Sequence, residues 1–307
     1  ELAGEIKRFW RSARFSGKKV RLGVANQRVV VRTIELPALD DAKERRAAVE
    51  FEAAEQIPIP PDQTVVDSQP VLRFSNEAGD RERHVVVAAH RDMVEGLVAT
   101  VRQAGLQPVG IDLEAFAILR ALLPPPAVID EGSADTRAVA VCHVGAEVTN
   151  MIVAVDRRCH FTRLVGFGGA HLTKAVSERT GLPSEESEAV KTACGLLGEP
   201  LDGWDADTVA EVRHALALGA RPLVREISRS LDYYRSQAFA RPIERLVISG
   251  GTSLCAGIDR YLQQGLGLPV QVGDPARQLD DGSTLDPDLA ARAAVALGLA
   301  LDAPERS

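Results

Sequence analysis

Three strand-like runs in this chain lead into glycine turns with the composition of anion-binding loops. The first is His143-Val144-Gly145-Ala146-Glu147-Val148-Thr149, within the strand–turn–strand pattern from Arg137 to Val155. The second is Phe167-Gly168-Gly169, and the third is Val247-Ile248-Ser249-Gly250-Gly251-Thr252-Ser253. Glycine lets the backbone approach a ligand closely, and N–H groups exposed in such turns or at helix starts cradle phosphate oxygens. None of the three fits a Walker A or G-x-G-x-x-G pattern, and one Gly-Gly after a strand is more often an ordinary turn. Three of them ordered around one hairpin are a stronger signal. Glu188 and Lys191 form an E-x-x-K pair that reads either as part of a ligand site or as a surface ion pair worth roughly a few tenths of a kcal/mol. His143 closes its strand either toward a ligand or simply as a strand end, and the residues alone leave both readings open.

Those residues need elements to hold them. In the C-terminal half the hairpin is followed by a strand, Cys159 to Phe167, that runs into Gly168-Gly169 and a helix from Ala170 to Thr180. Ser184 is placed to cap the helix carrying Glu188 and Lys191. Helical periodicity then extends from Thr208 to Gln237, with a break or kink expected at Pro222. A strand ending at Ser249, the glycine pair, a helix, the run Leu268 to Val272 and a final helix complete this half. Tyr233-Tyr234 read as helix-end packing rather than a base-stacking pair.

The N-terminal half opens with a helix, Glu1 to Arg14, and two β runs, Lys19 to Val24 and Arg28 to Leu36, separated by an Asn26 turn. Asp40 or Asp41 caps a helix whose stripe is expected at Ala47, Ala48, Phe51, Ala54 and Ile57. Glu44-Arg45-Arg46 reads as its solvated face. Two strands follow, Thr64 to Arg73 and His84 to His90, on either side of a polar loop at residues 76–80. A helix from Arg91 to Ala104, the run Leu106 to Leu113 and another helix up to Pro124-Pro125-Pro126 end this half. From Ile34 to Leu113 the order strand, helix, strand, strand, helix, strand makes an α+β unit of subdomain size.

A chain of 307 residues has room for two domains with real cores. A net charge of −7 argues against a nucleic-acid partner, which needs clustered Lys and Arg. The four cysteines lie singly in apolar surroundings without a C-x-x-C pair, and read as reduced core residues of a cytosolic protein. His84 and His90 flank one strand with no third metal ligand in view. No apolar run approaches the length of about 20 residues that a membrane span needs.

Seven stretches in this order resemble the actin/Hsp70/sugar-kinase ATPase superfamily, and within it the PilM family of type IV pilus assembly, related to FtsA. They are V-R-L-G-V-A-N-Q-R-V-V-V-R-T-I-E-L-P, E-A-A-E-Q-I-P-I-P, V-V-V-A-A-H-R-D-M-V-E-G-L, A-G-L-Q-P-V-G-I-D-L-E-A-F-A-I-L-R-A-L, V-G-F-G-G-A-H-L-T-K-A-V, E-I-S-R-S-L-D-Y-Y-R-S-Q and I-E-R-L-V-I-S-G-G-T-S-L-C-A-G-I-D-R-Y-L. The resemblance covers Val20 to Leu301, with E-Q-I-P-I-P and S-L-D-Y-Y-R-S-Q pointing to PilM rather than to the wider superfamily. It implies an α/β protein with an α+β insertion: an actin-like, ribonuclease H-like two-lobed ATPase fold around a nucleotide cleft. The implied divisions are a remainder of the first lobe (1–32), the FtsA/PilM-type subdomain (33–112), a return and linker (113–136), the second lobe (137–285) and a C-terminal helix with a polar tail (286–307).

The same resemblance implies site residues for ATP or ADP. Gly145, Ala146 and Thr149 would face the β- and γ-phosphates, and Gly250, Gly251 and Thr252 would hold the adenosine and α-phosphate. Gly168 and Gly169 would back the ribose, and Glu188 and Lys191 would flank the purine. Relatives carry Asp where this chain has His143. Imidazole does not suit Mg²⁺, a hard ion that favours oxygen ligands, so hydrolysis is expected to be weak or absent. Relatives also begin with a D-x-G phosphate hairpin; no such segment precedes Glu1, and the chain is expected to be trimmed there. The implied partner is the cytoplasmic N-terminal peptide of a PilN-like inner-membrane protein, bound between the extra subdomain and the first lobe, alongside other pilus machinery and self-association. The protein is then expected to be cytoplasmic, peripheral to the inner face of the membrane, and attached to it only through that partner. Two other functions are in view. A metabolite kinase would need a catalytic carboxylate and an intact magnesium site. An FtsA-like division protein would be expected to end in an amphipathic membrane helix rather than L-D-A-P-E-R-S.

Overall fold

The computed structural model describes residues 1–77, 79–123, 137–197, 204–279 and 285–301. Part of the polar loop at 76–80, the triple proline, the polar stretch around Gly203 and the C-terminal tail therefore lie outside the described residues. The chain divides into two compact units, Glu1–Glu114 and Ala115–Ser307.

The first unit contains α1 (Leu2–Ser12), β1 (Lys19–Val24), β2 (Val29–Pro37), α2 (Ala42–Gln56), β3 (Thr64–Asn76), β4 (Gly79–His90), α3 (Arg91–Gln103) and β5 (Gln107–Leu113). Asn26 makes the expected turn, its Oδ1 accepting from the Arg28 N–H at 2.9 Å. The strands on either side of it do not pair with each other: β1 lies parallel to β5, and β2 joins an antiparallel sheet of order β2-β4-β3. Pro70 falls on the edge strand β3 beside a register shift, where a missing N–H is tolerated.

Asp41 caps α2, its carboxylate accepting from Lys43 N at 2.8 Å and Glu44 N at 2.9 Å. The stripe that α2 buries differs from expectation. Ile57 and, partly, Ala48 pack as expected, joined by Val49 and Ala53 against Ile34, Leu36, Val86 and Ala88, while Ala47, Phe51 and Ala54 face outward, with Phe51 67% exposed. The helix carries two overlapping apolar lines, and the sheet is covered by the one through Val49, Ala53 and Ile57.

The second unit opens with α4 (Glu114–Leu122), which is buried along nearly its whole length. It contains β6 (Ala138–Val144), β7 (Thr149–Val155), β8 (Arg158–Val165), α5 (Gly169–Thr180), α6 (Ser184–Cys194), α7 (Ala206–Arg235), β9 (Ile243–Ser249), α8 (Ile258–Leu266), β10 (Val270–Val272) and α9 (Pro287–Ala300). Its sheet runs β10-β9-β6-β7-β8, with β6 antiparallel to β7 and parallel to β9. β6 and β7 are central and buried on both faces, which is why they read as continuous apolar runs. One core joins them to Leu172 and Val176 of α5 and to Leu216, Leu223, Ile227 and Leu231 of α7.

Three local expectations need correcting. α7 continues through Pro222 without a break; the carbonyl its ring displaces belongs to exposed Leu218, where water can satisfy it. Pro183, not Ser184, is the cap position of α6, and the first turn is favoured instead by Glu185 and Glu186. Gly250-Gly251 opens a short 3₁₀ turn, Gly251–Leu254, and α8 starts only at Ile258. All four cysteines are free and buried, as the sequence suggests. Burial pushes the thiols of Cys142 and Cys159 up to about 12 and that of Cys255 up to about 11. Among the described residues, no helix is long and apolar enough to cross a membrane.

Candidate functional site

The ends of β6, β8 and β9 bring all three glycine turns together. The Gly145 carbonyl accepts from Gly169 N at 2.8 Å and Thr252 Oγ1 at 3.5 Å, and the Ala146 carbonyl accepts from Ala170 N at 2.9 Å. The hairpin turn is thus held from one side by the start of α5 and from the other by the 3₁₀ turn. Gly168 and Gly250 make this approach possible. A Cβ on Gly168 would lie 2.3 Å from the Ala146 carbonyl oxygen, and one on Gly250 would lie 2.4 Å from that of Val144. Gly250 also has φ +89°, a conformation that L side chains rarely adopt.

This packing decides which donors remain open. The first two N–H groups of α5 are engaged by the hairpin and are not directed at an anion. Those of Ala146 and Glu147 in the hairpin, and of Gly251 and Thr252 in the 3₁₀ turn, make no hydrogen bond among the described residues. They are the main-chain donors that the cluster leaves without a hydrogen-bond partner among the described residues. Thr149 is fully buried and donates its hydroxyl to the Phe167 carbonyl at 2.7 Å, so it braces the hairpin from behind. Thr252 is likewise buried, tied to Gly145.

His143 lies at the end of β6 between Asn150 of β7 and Ser249 of β9. Its Nδ1 shares a 2.9 Å hydrogen bond with Ser249 Oγ, and burial lowers its pKa to about 4. The side chain is therefore a neutral imidazole at neutral pH. Magnesium favours oxygen donors, and this position offers a buried nitrogen base already engaged. Among the described residues, no group of three or more His, Cys, Asp or Glu side chains could hold a metal ion. The residues present do not fit Mg²⁺.

Glu188 and Lys191 meet as the E-x-x-K spacing suggests, but they form neither an ordinary surface pair nor an open cationic site. Lys191 is only 5% exposed; its Nζ donates to Glu188 Oε2 at 2.6 Å, Thr173 Oγ1 at 3.1 Å and Gly169 O at 3.5 Å. Thr173 also donates to Glu188. Burial works against the Glu188 charge, yet the hydrogen bonds from Lys191 and Thr173, with the charges of Lys191 and Arg292, hold its carboxyl below the usual range. The network ties α6 to the start of α5. Thr173 and Arg292 were not singled out in the sequence, because neither falls in a glycine turn or a paired motif. Tyr234 is buried and accepts from Arg241 N at 3.0 Å, whereas Tyr233 is exposed, so the pair packs a helix end.

With this geometry in hand, the chain can be set beside known proteins. The family described as type IV pilus assembly protein PilM matches residues 1–303. Among solved structures the chain is similar to the PilM-PilN type IV pilus biogenesis complex, at 27% identity and a TM-score of 0.76, over 97% of this chain and 83% of that one. That likeness bears out the expected fold class, an actin-like α/β fold. Among curated proteins it is similar to the cell division protein FtsA of Neisseria meningitidis serogroup B, 25% identical over 253 residues, or 73% of this chain. The chain spans only 59% of that relative's length.

Proposed function

The chain belongs to the family of type IV pilus assembly protein PilM, and on that premise we propose that it is an actin-like scaffold of pilus assembly. In this reading its second unit binds ATP or ADP, and its first unit captures the cytoplasmic N-terminal peptide of a PilN-like inner-membrane protein. One observation carries the nucleotide half: three glycine turns, far apart in sequence, are locked together by Gly145 O and leave the N–H groups of Ala146, Glu147, Gly251 and Thr252 open. Turnover is weak or absent, since His143 supplies no oxygen ligand for a metal and, with a pKa near 4, no charge at neutral pH.

The partner half draws on the likeness to a PilM-PilN complex and on a cavity in the first unit. That cavity, of about 440 Å³, lies between Leu2 and Ile6 of α1, the end of β1, and Met93, Leu97 and Val101 of α3. An apolar groove of this kind takes the alternate side chains of an extended peptide. The protein is then cytoplasmic and reaches the inner membrane through its partner, beside other components of the machine.

Equilibrium titration of the full chain with ATP and ADP tests the first half. Saturable binding with no measurable hydrolysis is expected, and binding of neither nucleotide overturns it. Capture of a PilN-like N-terminal peptide tests the second half. Leu97→Asp should abolish capture while leaving nucleotide binding intact, and capture undiminished by that change would remove the cavity from the account.

A further inference from the structure

The loop cluster has two cations close by, and they differ in what they are free to do. Lys191 is buried and its ammonium is saturated by three oxygen partners. Its positive charge stabilises Glu188 and the α5–α6 contact, and nothing is left to direct at a ligand. Arg292, on α9, is exposed, and its guanidinium makes no hydrogen bond or ion pair among the described residues.

Position as well as freedom singles out Arg292. The carbonyl of Ala291, the residue before it, accepts from Gly250 N at 3.2 Å, which pins this turn of α9 against the 3₁₀ loop. The Arg292 Cγ lies 3.9 Å from where a Cβ on Gly251 would stand, so its stem lies beside Gly251. Its charge helps to hold the Glu188 carboxyl below its usual range, so the guanidinium stands near the α5–α6 network. Glu188 is ion-paired with Lys191 and makes no ion pair with Arg292, so one carboxylate faces two cations here.

We propose that Arg292 is the residue that binds the phosphates of the nucleotide, the charged counterpart to the open amides of the Gly251 turn. The inference rests on the nucleotide reading above and adds the cation which that reading lacks once Lys191 is found to be saturated. A guanidinium presents a planar fork of donors that suits phosphate oxygens, and a flexible exposed stem can close over a bound ligand.

Calorimetric titration of the full chain with ADP and with adenosine, for the natural protein, Arg292→Ala and Arg292→Lys, tests this. Arg292→Ala should weaken ADP by about tenfold or more, the usual worth of a charge-assisted hydrogen bond. Adenosine affinity should stay unchanged, and Arg292→Lys should recover part of the ADP loss. All three proteins should unfold at the same temperature, since the side chain is exposed and alanine suits a helix. An ADP affinity indifferent to Arg292→Ala overturns the proposal, as does an equal loss for ADP and adenosine, which would assign the residue to the nucleoside. A natural protein that binds neither ligand removes the nucleotide reading itself, and this inference with it.

Discussion

Glycine has a different task in each unit. In the second unit, a Cβ on Gly168 or Gly250 would collide with main-chain atoms 2.3 and 2.4 Å away. In the first unit, a Cβ on Gly17, Gly79, Gly96 or Gly105 would meet nothing within 4 Å. Of these, Gly79 and Gly105 take the positive φ of a turn and Gly96 lies within α3, while the unit's candidate groove is lined largely by side chains of α1 and α3. In the second unit Gly168 and Gly250 let one backbone segment touch another, and the candidate site is made largely of main-chain donors so positioned. A main-chain site tolerates variation in many surrounding side chains but almost none at the contact glycines.

The largest predicted effect goes straight to that contrast. Gly250→Ala combines a strained φ with a main-chain clash and should cost about 3 kcal/mol or more in urea unfolding. Gly17→Ala in the first unit should change stability by less than about 0.5 kcal/mol. Similar values for the two would mean that the loop cluster yields easily, and the contrast would not hold.

Acid separates the units next. Burial lowers the His143 pKa to about 4 from its ordinary 6.5, so between those values the unfolded chain binds the extra proton. Stability therefore rises with pH through this window, is fully present above about 6.5, and is lost as the pH falls toward 4. The loss should be on the order of 3 kcal/mol. His143→Gln, measured by urea unfolding at several pH values, should flatten that part of the profile. An unchanged slope would place the titrating group elsewhere.

Glu188→Gln should have a smaller effect. It leaves the buried Lys191 ammonium with only neutral oxygen partners, Thr173 Oγ1 and Gly169 O. Glu188 is itself about half exposed, so water screens part of its contribution. A loss of about 2 kcal/mol is expected, below that for a fully buried pair. Glu188→Gln with Lys191→Met should recover some of it, because the second change removes the stranded charge. No recovery would show that the pair is not the source.

Much of the second unit was legible because physical constraints leave marks in composition. Strands β6 and β7, covered on both faces, must be apolar throughout, and loops that touch backbone to backbone must use glycine. Which donors the loops leave open was not legible, because the hydrogen bonds from Gly169 and Ala170 to the carbonyls of Gly145 and Ala146 are set by tertiary approach. The spacing of Glu188 and Lys191 is the same whether the pair is exposed or buried, and Thr173 completes it from another helix. Arg292 belongs to no motif; only folding brings α9 to the Gly251 turn. In the first unit, the Asp41 cap was readable from local sequence, but the face of α2 was not. Its two apolar lines are nearly equivalent until the sheet chooses between them.

That choice at α2 sets the smallest prediction. Phe51 is the largest apolar side chain on the helix, and size alone would assign it to the core. It is two-thirds exposed, and the sheet is instead covered by Val49, Ala53 and Ile57. Removing a side chain that water already surrounds gives up little buried area, so Phe51→Ser should change stability by less than about 0.5 kcal/mol. Val49→Ser should cost more despite the smaller volume removed, because it places a hydroxyl without a partner beneath the helix. Urea unfolding of the two variants orders them directly. If Phe51→Ser proves the more damaging, the outer line of α2 is covered in the intact protein, and side-chain packing in the first unit is more extensive than its exposed face implies.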